Sequence, residues 1–105
     1  MPDELSIEIR KFEVRLQEFI KAEDEAIKSL KAFIEKVKEL NSLLEAQPEK
    51  RKPETLEKII KLRLETIKAL QNALNCTAKA EHEKSHIPQS YGTILLTIEK
   101  LTKTS

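Results

Sequence analysis

The sequence has few of the residues on which sheet proteins depend. It contains one glycine and no tryptophan, and aromatic residues make up 4% of its 105 residues. Sheets need glycine in their tight turns, whereas this profile, with 35% charged residues, is typical of long solvated helices. Its one cysteine, Cys76, excludes an internal disulfide bond. We therefore predict an all-α protein with a single helical domain over residues 1–105.

The sequence also lacks an excess of charge of either sign. Nineteen basic and eighteen acidic residues give a net charge of +1, which excludes a general attraction to nucleic acid or to an anionic membrane. The basic run Lys50-Arg51-Lys52 has no aromatic neighbours for base stacking, so we expect no nucleic-acid partner. No apolar run approaches the roughly 20 residues that span a bilayer. Met1-Pro2-Asp3-Glu4 lacks the features of a secretory leader. We expect a cytoplasmic or nuclear protein without a cofactor or a small-molecule substrate.

What the sequence does contain is an apolar stripe near its start. The spacing alternates between three and four residues, which keeps the side chains on one face of a helix whose repeat is close to 3.5 residues. Glu23 breaks the pattern. The stripe predicts a first helix over about residues 3–46. Its members are Leu5, Ile9, Phe12, Leu16, Phe19, Ala26, Leu30, Phe33, Val37, Leu40 and Leu44.

Prolines predict two breaks in the chain. Pro48 and Pro53 bracket a polar turn, and proline is tolerated in the first turn of a helix, so a second helix is predicted over about residues 53–85. Pro88 predicts another break, followed by a third helix over about residues 89–103. We predict an antiparallel hairpin of two long helices with a shorter C-terminal helix folded back to give a three-helix bundle. The alternative is a kinked helix that continues past Pro88.

Two apolar bands on helix two predict two neighbours. The band of large side chains is assigned to the contact with helix one, and the band of smaller side chains to a closely approaching third helix. Ile20, Ile27 and Ile34 widen the apolar face of helix one and favour the same third helix. The large band consists of Leu56, Ile59, Ile60, Ile67, Leu70, Leu74 and Ala78, and the small band of Leu62, Ala69, Ala73, Cys76 and Ala80.

The start of helix one is the predicted binding region. If Leu44 lies opposite Leu56, helix two ends too early to cover roughly the first ten residues of helix one. Ile7 and Val14 point away from the main stripe there, so this overhang is apolar on two faces. Exposed apolar patches of this kind mark contacts. The predicted partner-binding residues are Leu5, Ile7, Ile9, Phe12 and Val14.

One motif, His82-Glu83-Lys84-Ser85-His86, matches a catalytic signature. On a helix, histidines four residues apart can both bind zinc while the glutamate polarises a zinc-bound water, as in one class of metalloprotease. Pro88 follows where the active-site helix would continue, and Glu99 is the only acidic residue downstream. We predict no catalytic residue and no metal site, with His82 and His86 as weak candidates for adventitious metal binding.

Together these patterns favour a protein–protein interaction module that is not an enzyme. It would serve as an adaptor, a complex-assembly subunit or a co-chaperone, and would act through exposed apolar helix faces. The partner is another protein or a second copy of the chain. The alternative is a self-associating structural coiled-coil protein. A remote alternative is a metal-dependent hydrolase that uses His82, Glu83 and His86.

Overall fold

Two long helices make up most of the protein. The computed structural model describes residues 3–45 and 47–103, in which α1 spans Glu4–Leu43 and α2 spans Pro53–Lys103. A short 3-10 helix, Pro48–Lys50, lies in the turn between them. The described residues contain no strand, so the all-α class is confirmed. Within the same residues neither helix has an apolar stretch long enough to cross a membrane.

Polar contacts explain where the helices begin and end. The carboxylate of Asp3 accepts a hydrogen bond from the backbone N–H of Ser6 at 2.7 Å, which caps the start of α1. At the end of α1, the guanidinium of Arg51 donates to the carbonyl of Leu44 at 3.1 Å. α2 begins at Pro53, where a missing N–H costs no helical hydrogen bond. α1 ends at Leu43, and the predicted end at residue 46 lies outside the described residues.

The chain divides into two compact units, and each helix contributes to both. The turn unit is Glu25–Thr77, and the terminal unit combines Met1–Asp24 with Ala78–Ser105. Within the turn unit the helices run antiparallel, since a short turn joins them. Lys36 and Glu65 form an ion pair across the two helices at 3.2 Å. This pairing agrees with the predicted register of Leu44 opposite Leu56 to within about one residue.

Small side chains form the core of the turn unit. Ala26, Ser29 and Ala73 are buried between its helices, and the hydroxyl of Ser29 donates to the carbonyl of Ala26 at 2.8 Å. Small residues let two helix backbones approach closely. The small band of helix two therefore packs against α1, and its assignment to a third helix is wrong. The matching assignment of the large band to α1 holds for the half-buried Ile59 but is wrong for most of the band, because Leu56, Ile60, Ile67, Leu70 and Leu74 are exposed.

In the terminal unit α2 continues through Pro88. Ile94 and Thr97, beyond the proline, are buried, and the ring of Tyr91 contacts the ring of Phe12. The described residues contain no separate C-terminal helix, so the prediction of a break at Pro88 with a folded-back third helix is wrong. The predicted overhang is wrong for the same reason, because the continued α2 packs against the start of α1.

The spacing of half-buried and buried residues on α2 explains why the helix survives Pro88. These residues follow one another at intervals of four and three without interruption, so one face of α2 stays against α1 on both sides of the proline. Pro88 lies outside this row, and it removes one helical hydrogen bond, to the carbonyl of Lys84, at a cost of about 3 kcal/mol. The row is Thr55, Ile59, Leu62, Thr66, Ala69, Ala73, Cys76, Ala80, Glu83, Ile87, Ser90, Ile94 and Thr97.

Candidate functional site

α1 carries an exposed apolar row in the turn unit. Each of its members directly follows a residue that is buried or half-buried against α2: Ile27 follows Ala26, and Ile34 follows Phe33. One step along a helix turns the side chain by about 100°, so the row lies beside the packed face. Its side chains are 41–50% exposed. The row consists of Ile27, Leu30, Ile34, Val37 and Leu44.

α2 carries a corresponding row, built by the same rule. Ile60 follows Ile59, and Leu74 follows the buried Ala73. Exposure of these side chains ranges from 39% to 64%. The polar members at this position are Arg63, after Leu62, and Thr77, after Cys76. The apolar members are Leu56, Ile60, Ile67, Leu70 and Leu74.

The two rows lie on the same side of the turn unit. In a right-handed helix, residue numbers advance in one rotational sense when viewed from one end, and in the opposite sense in an antiparallel neighbour. A step of one residue from each packed face therefore turns both side chains toward the same side. The rows of α1 and α2 form one surface, which we call the apolar face.

A groove in the terminal unit contains two of the predicted binding residues. Ile7 and Val14 line it together with Lys11, Arg15 and His86, and its volume is about 810 Å³. Most of its lining residues are charged or polar. Arg15 forms an ion pair with Glu18 at 3.5 Å, and Lys11 with Glu8 at 3.4 Å. The groove therefore holds two aliphatic side chains among charged and polar residues, although apolar atoms supply the larger part of its surface.

The structure does not gather the five predicted binding residues on one surface. Leu5 and Phe12 are partly buried in the helix pair. Ile9 is exposed and directly follows the half-buried Glu8, so it lies on the side opposite the groove. Ile7 and Val14 line the groove. Whether these residues contact a partner stays a prediction.

His82 and His86 are close enough to share an ion. Their Nε2 atoms lie 3.3 Å apart, and their rings meet edge to face. If a zinc ion lay about 2.0–2.1 Å from both nitrogen atoms, the N–Zn–N angle would be about 105°, near the tetrahedral value. Two side chains leave such a site half complete. The described residues contain no group of three or more His, Cys, Asp or Glu side chains arranged to hold a metal.

Glu83 lies in the contact between the helices of the terminal unit. It belongs to the row that packs against α1, and its Oε2 atom is buried with no hydrogen-bond partner among the described residues. A buried polar atom without a partner costs about 1–3 kcal/mol. The carboxylate therefore weakens the packing of this unit in the present arrangement.

Cys76 also belongs to the packed row of α2. It is half-buried, and its Sγ atom lies 3.9 Å from the side-chain oxygen of Asn72. Its neighbours in the row, Ala73 and Ala80, are buried. This environment is that of a small side chain in a helix contact, as the small band predicted.

Comparison of the chain with protein-family models, with curated proteins and with solved structures gave no match in any of the three.

Proposed function

We propose that this protein is a helical interaction module and that the apolar face of the turn unit is its binding surface. The observation that carries the proposal is the pairing of two exposed aliphatic rows on one side of the unit. Among the described residues that directly follow a packed residue in these two rows, Arg63 is the one that is charged. Monomeric proteins rarely expose apolar patches above a few hundred Å² unless the patch binds something.

The mode of binding follows from the spacing of the rows. Ile27, Leu30, Ile34 and Val37 recur at intervals of three and four. The aliphatic residues of α2 have the same spacing except between Ile60 and Ile67, where Arg63 holds the intervening position, so ridges and grooves of helical pitch cross the face. A helix of the partner can lie against both rows at once and bury its own apolar stripe. An adaptor, an assembly subunit or a co-chaperone would use the face in this way.

The predicted region from Leu5 to Val14 is a second place where a partner could bind. Ile9 offers an exposed aliphatic side chain there, and Ile7 and Val14 offer two more in the groove. This region has fewer exposed aliphatic side chains than the apolar face, and charged side chains surround them. We therefore assign the primary contact to the turn unit.

Two leucines of α2 provide a matched test. Leu74 lies on the apolar face and is 58% exposed, whereas Leu96 follows Leu95 on another side of the helix and is 60% exposed. A partner protein should be captured by the wild-type chain and by Leu96→Asp, and it should bind each purified chain directly in calorimetry. Leu74→Asp should lose that binding while keeping its helical circular dichroism. Equal binding by the two variants would contradict the proposal.

A further inference from the structure

We infer that the occupant of the apolar face is a second copy of this chain, and that two turn units pair face to face as a four-helix bundle. This inference rests on the proposed function, because it names the partner of the same surface. In such a pair, each helix of one copy packs against the helices of the other, and a two-fold axis relates the copies.

The first argument is that the turn unit, among its described residues, buries no large side chain completely: the large residues of its packed rows are only half-buried, namely Phe33, Leu40, Leu43, Ile59 and Leu62. Its buried residues are Ala26, Ser29 and Ala73, and no large side chain in the described part of the chain is fully buried. Isolated helices are marginal in water, and helices in proteins owe most of their stability to packing of an apolar face. The aliphatic residues that could provide this stabilisation lie on the apolar face. The unit therefore reaches ordinary stability only when that face is covered.

The second argument is the area of the face. Full burial of a large aliphatic side chain contributes about 1.5–3 kcal/mol, and each Å² of buried apolar surface contributes about 25 cal/mol. One such side chain therefore has about 60–120 Å² of apolar surface to bury. The side chains of the two rows are each about half exposed, so together they offer on the order of 500 Å² of apolar surface per copy. A standard interface buries about 800 Å² per partner, of which about 65% is apolar in homodimers. The face matches that apolar requirement.

The third argument is that the face is complementary to itself. Both of its rows consist of leucine, isoleucine and valine at helical spacing, so a two-fold related copy presents side chains of the same kind and pitch. The turn unit holds eleven basic and eight acidic residues, a net charge of +3, so the repulsion between two copies is modest and is screened by salt. No complementary charge on another protein is needed to fix the contact.

Sedimentation of the pure, untagged chain tests this inference. We expect a dimer at micromolar concentration that dissociates on dilution. Leu74→Asp should weaken the association by about 100-fold or more, because each copy loses a buried leucine and gains a desolvated carboxylate. Leu96→Asp should change it by less than about threefold. A chain that is monomeric at every concentration, or a dimer that Leu74→Asp leaves intact, would overturn the inference.

A second measurement covers the case in which Leu74→Asp does not fold. The thermal unfolding midpoint of the wild-type chain should rise with protein concentration, because association stabilises only the folded chain. A concentration-independent midpoint would overturn the inference. The proposed function has a separate test: a monomeric wild-type chain that binds another protein, and loses it in Leu74→Asp, would refute the second copy while leaving the interaction module in place.

Discussion

The aromatic rings of Phe12 and Tyr91 lie in contact, with centroids 5.7 Å apart and planes inclined by 36°. Phe12 belongs to the early turns of α1, and Tyr91 follows Pro88 by three positions on α2. The contact therefore joins the start of α1 to the part of α2 that lies beyond the proline. It is the clearest sign that one continuous helix packs against the N-terminal region.

This aromatic pair gives the first prediction. In a double-mutant cycle with Phe12→Ala and Tyr91→Ala, urea unfolding should yield a coupling energy of about 0.5–1.5 kcal/mol, the usual value for an aromatic pair. Phe12→Ala paired with the exposed Leu96→Ala serves as the control and should give no coupling. A coupling energy of zero between Phe12 and Tyr91 would mean that the two segments do not pack together.

The second prediction concerns Pro88. Because it lies inside α2, Pro88→Ala should restore the hydrogen bond to the carbonyl of Lys84 and raise the free energy of unfolding by up to about 3 kcal/mol. Pro53→Ala is the matched control, since proline in a first turn costs little, and it should change stability by less than about 1 kcal/mol. A Pro88→Ala protein no more stable than wild type would argue for a real break at this point.

The third prediction concerns Glu83. Glu83→Leu should raise the free energy of unfolding by about 1–3 kcal/mol, because it removes a buried oxygen without a partner and adds an apolar side chain to the helix contact. The nearby Glu81 is exposed, so Glu81→Leu should shift stability by no more than about 0.5 kcal/mol. If Glu83→Leu destabilised the protein, the carboxylate would have to make a stabilising interaction, which would contradict its lack of a hydrogen-bond partner in the part of the chain that the structure describes.

The fourth prediction separates the interaction module from the metal-dependent hydrolase. His82 and His86 supply only two ligands, so zinc should dissociate on dialysis, and metal analysis of the untagged protein should find far less than one ion per chain. His82→Ala should leave the free energy of unfolding within about 0.5 kcal/mol of wild type. One zinc ion per chain that remains bound after dialysis would support the metal-dependent hydrolase instead.

Much of the fold could be predicted from the spacing of apolar residues. The heptad row Leu5, Phe12, Phe19, Ala26, Phe33 and Leu40 is half-buried or buried in the structure, and the turn bounded by Pro48 and Pro53 lies where the sequence places it. The neighbouring row was harder to assign. Ala22, Ser29, Lys36 and Leu43 pack against α2, whereas Glu23, Leu30, Val37 and Leu44, one position later, are exposed. The second of these adjacent rows is the more apolar, so the spacing of apolar residues alone predicts a face that is rotated away from the one that packs against α2.

The same preference for large residues misplaced the contact on α2. Alanine, cysteine and threonine look unsuited to a core, yet their small size lets two helices approach closely, and they supply seven of the thirteen residues in the packed row of α2. The sequence does contain a signal for the correct face: from Thr55 to Thr97 the residues of this row alternate steps of four and three without a break. The same unbroken spacing predicts that the helix continues through Pro88. A proline alone does not end a helix whose neighbouring turns are held by tertiary contacts.

The apolar face could not be recognised as a surface from sequence alone. Its residues are ordinary core residues in type and spacing, and only the close packing of α1 on the small band leaves them exposed. A signal does exist in retrospect: large aliphatic residues directly follow the packed positions in both helices, as in Ala26-Ile27 and Ala73-Leu74. In antiparallel helices that arrangement places both rows on one side.

The most direct test of the account is radical footprinting of the wild-type protein, comparing Leu74 with Leu96. The two side chains are of one type, lie on one helix and are about equally exposed in a single chain, at 58% and 60%. If the apolar face is covered, Leu74 should be labelled several-fold more slowly than Leu96 in the pure protein at micromolar concentration. Equal labelling of the two leucines, in the pure chain and with candidate partners added, would contradict the central claim that this face is an interface.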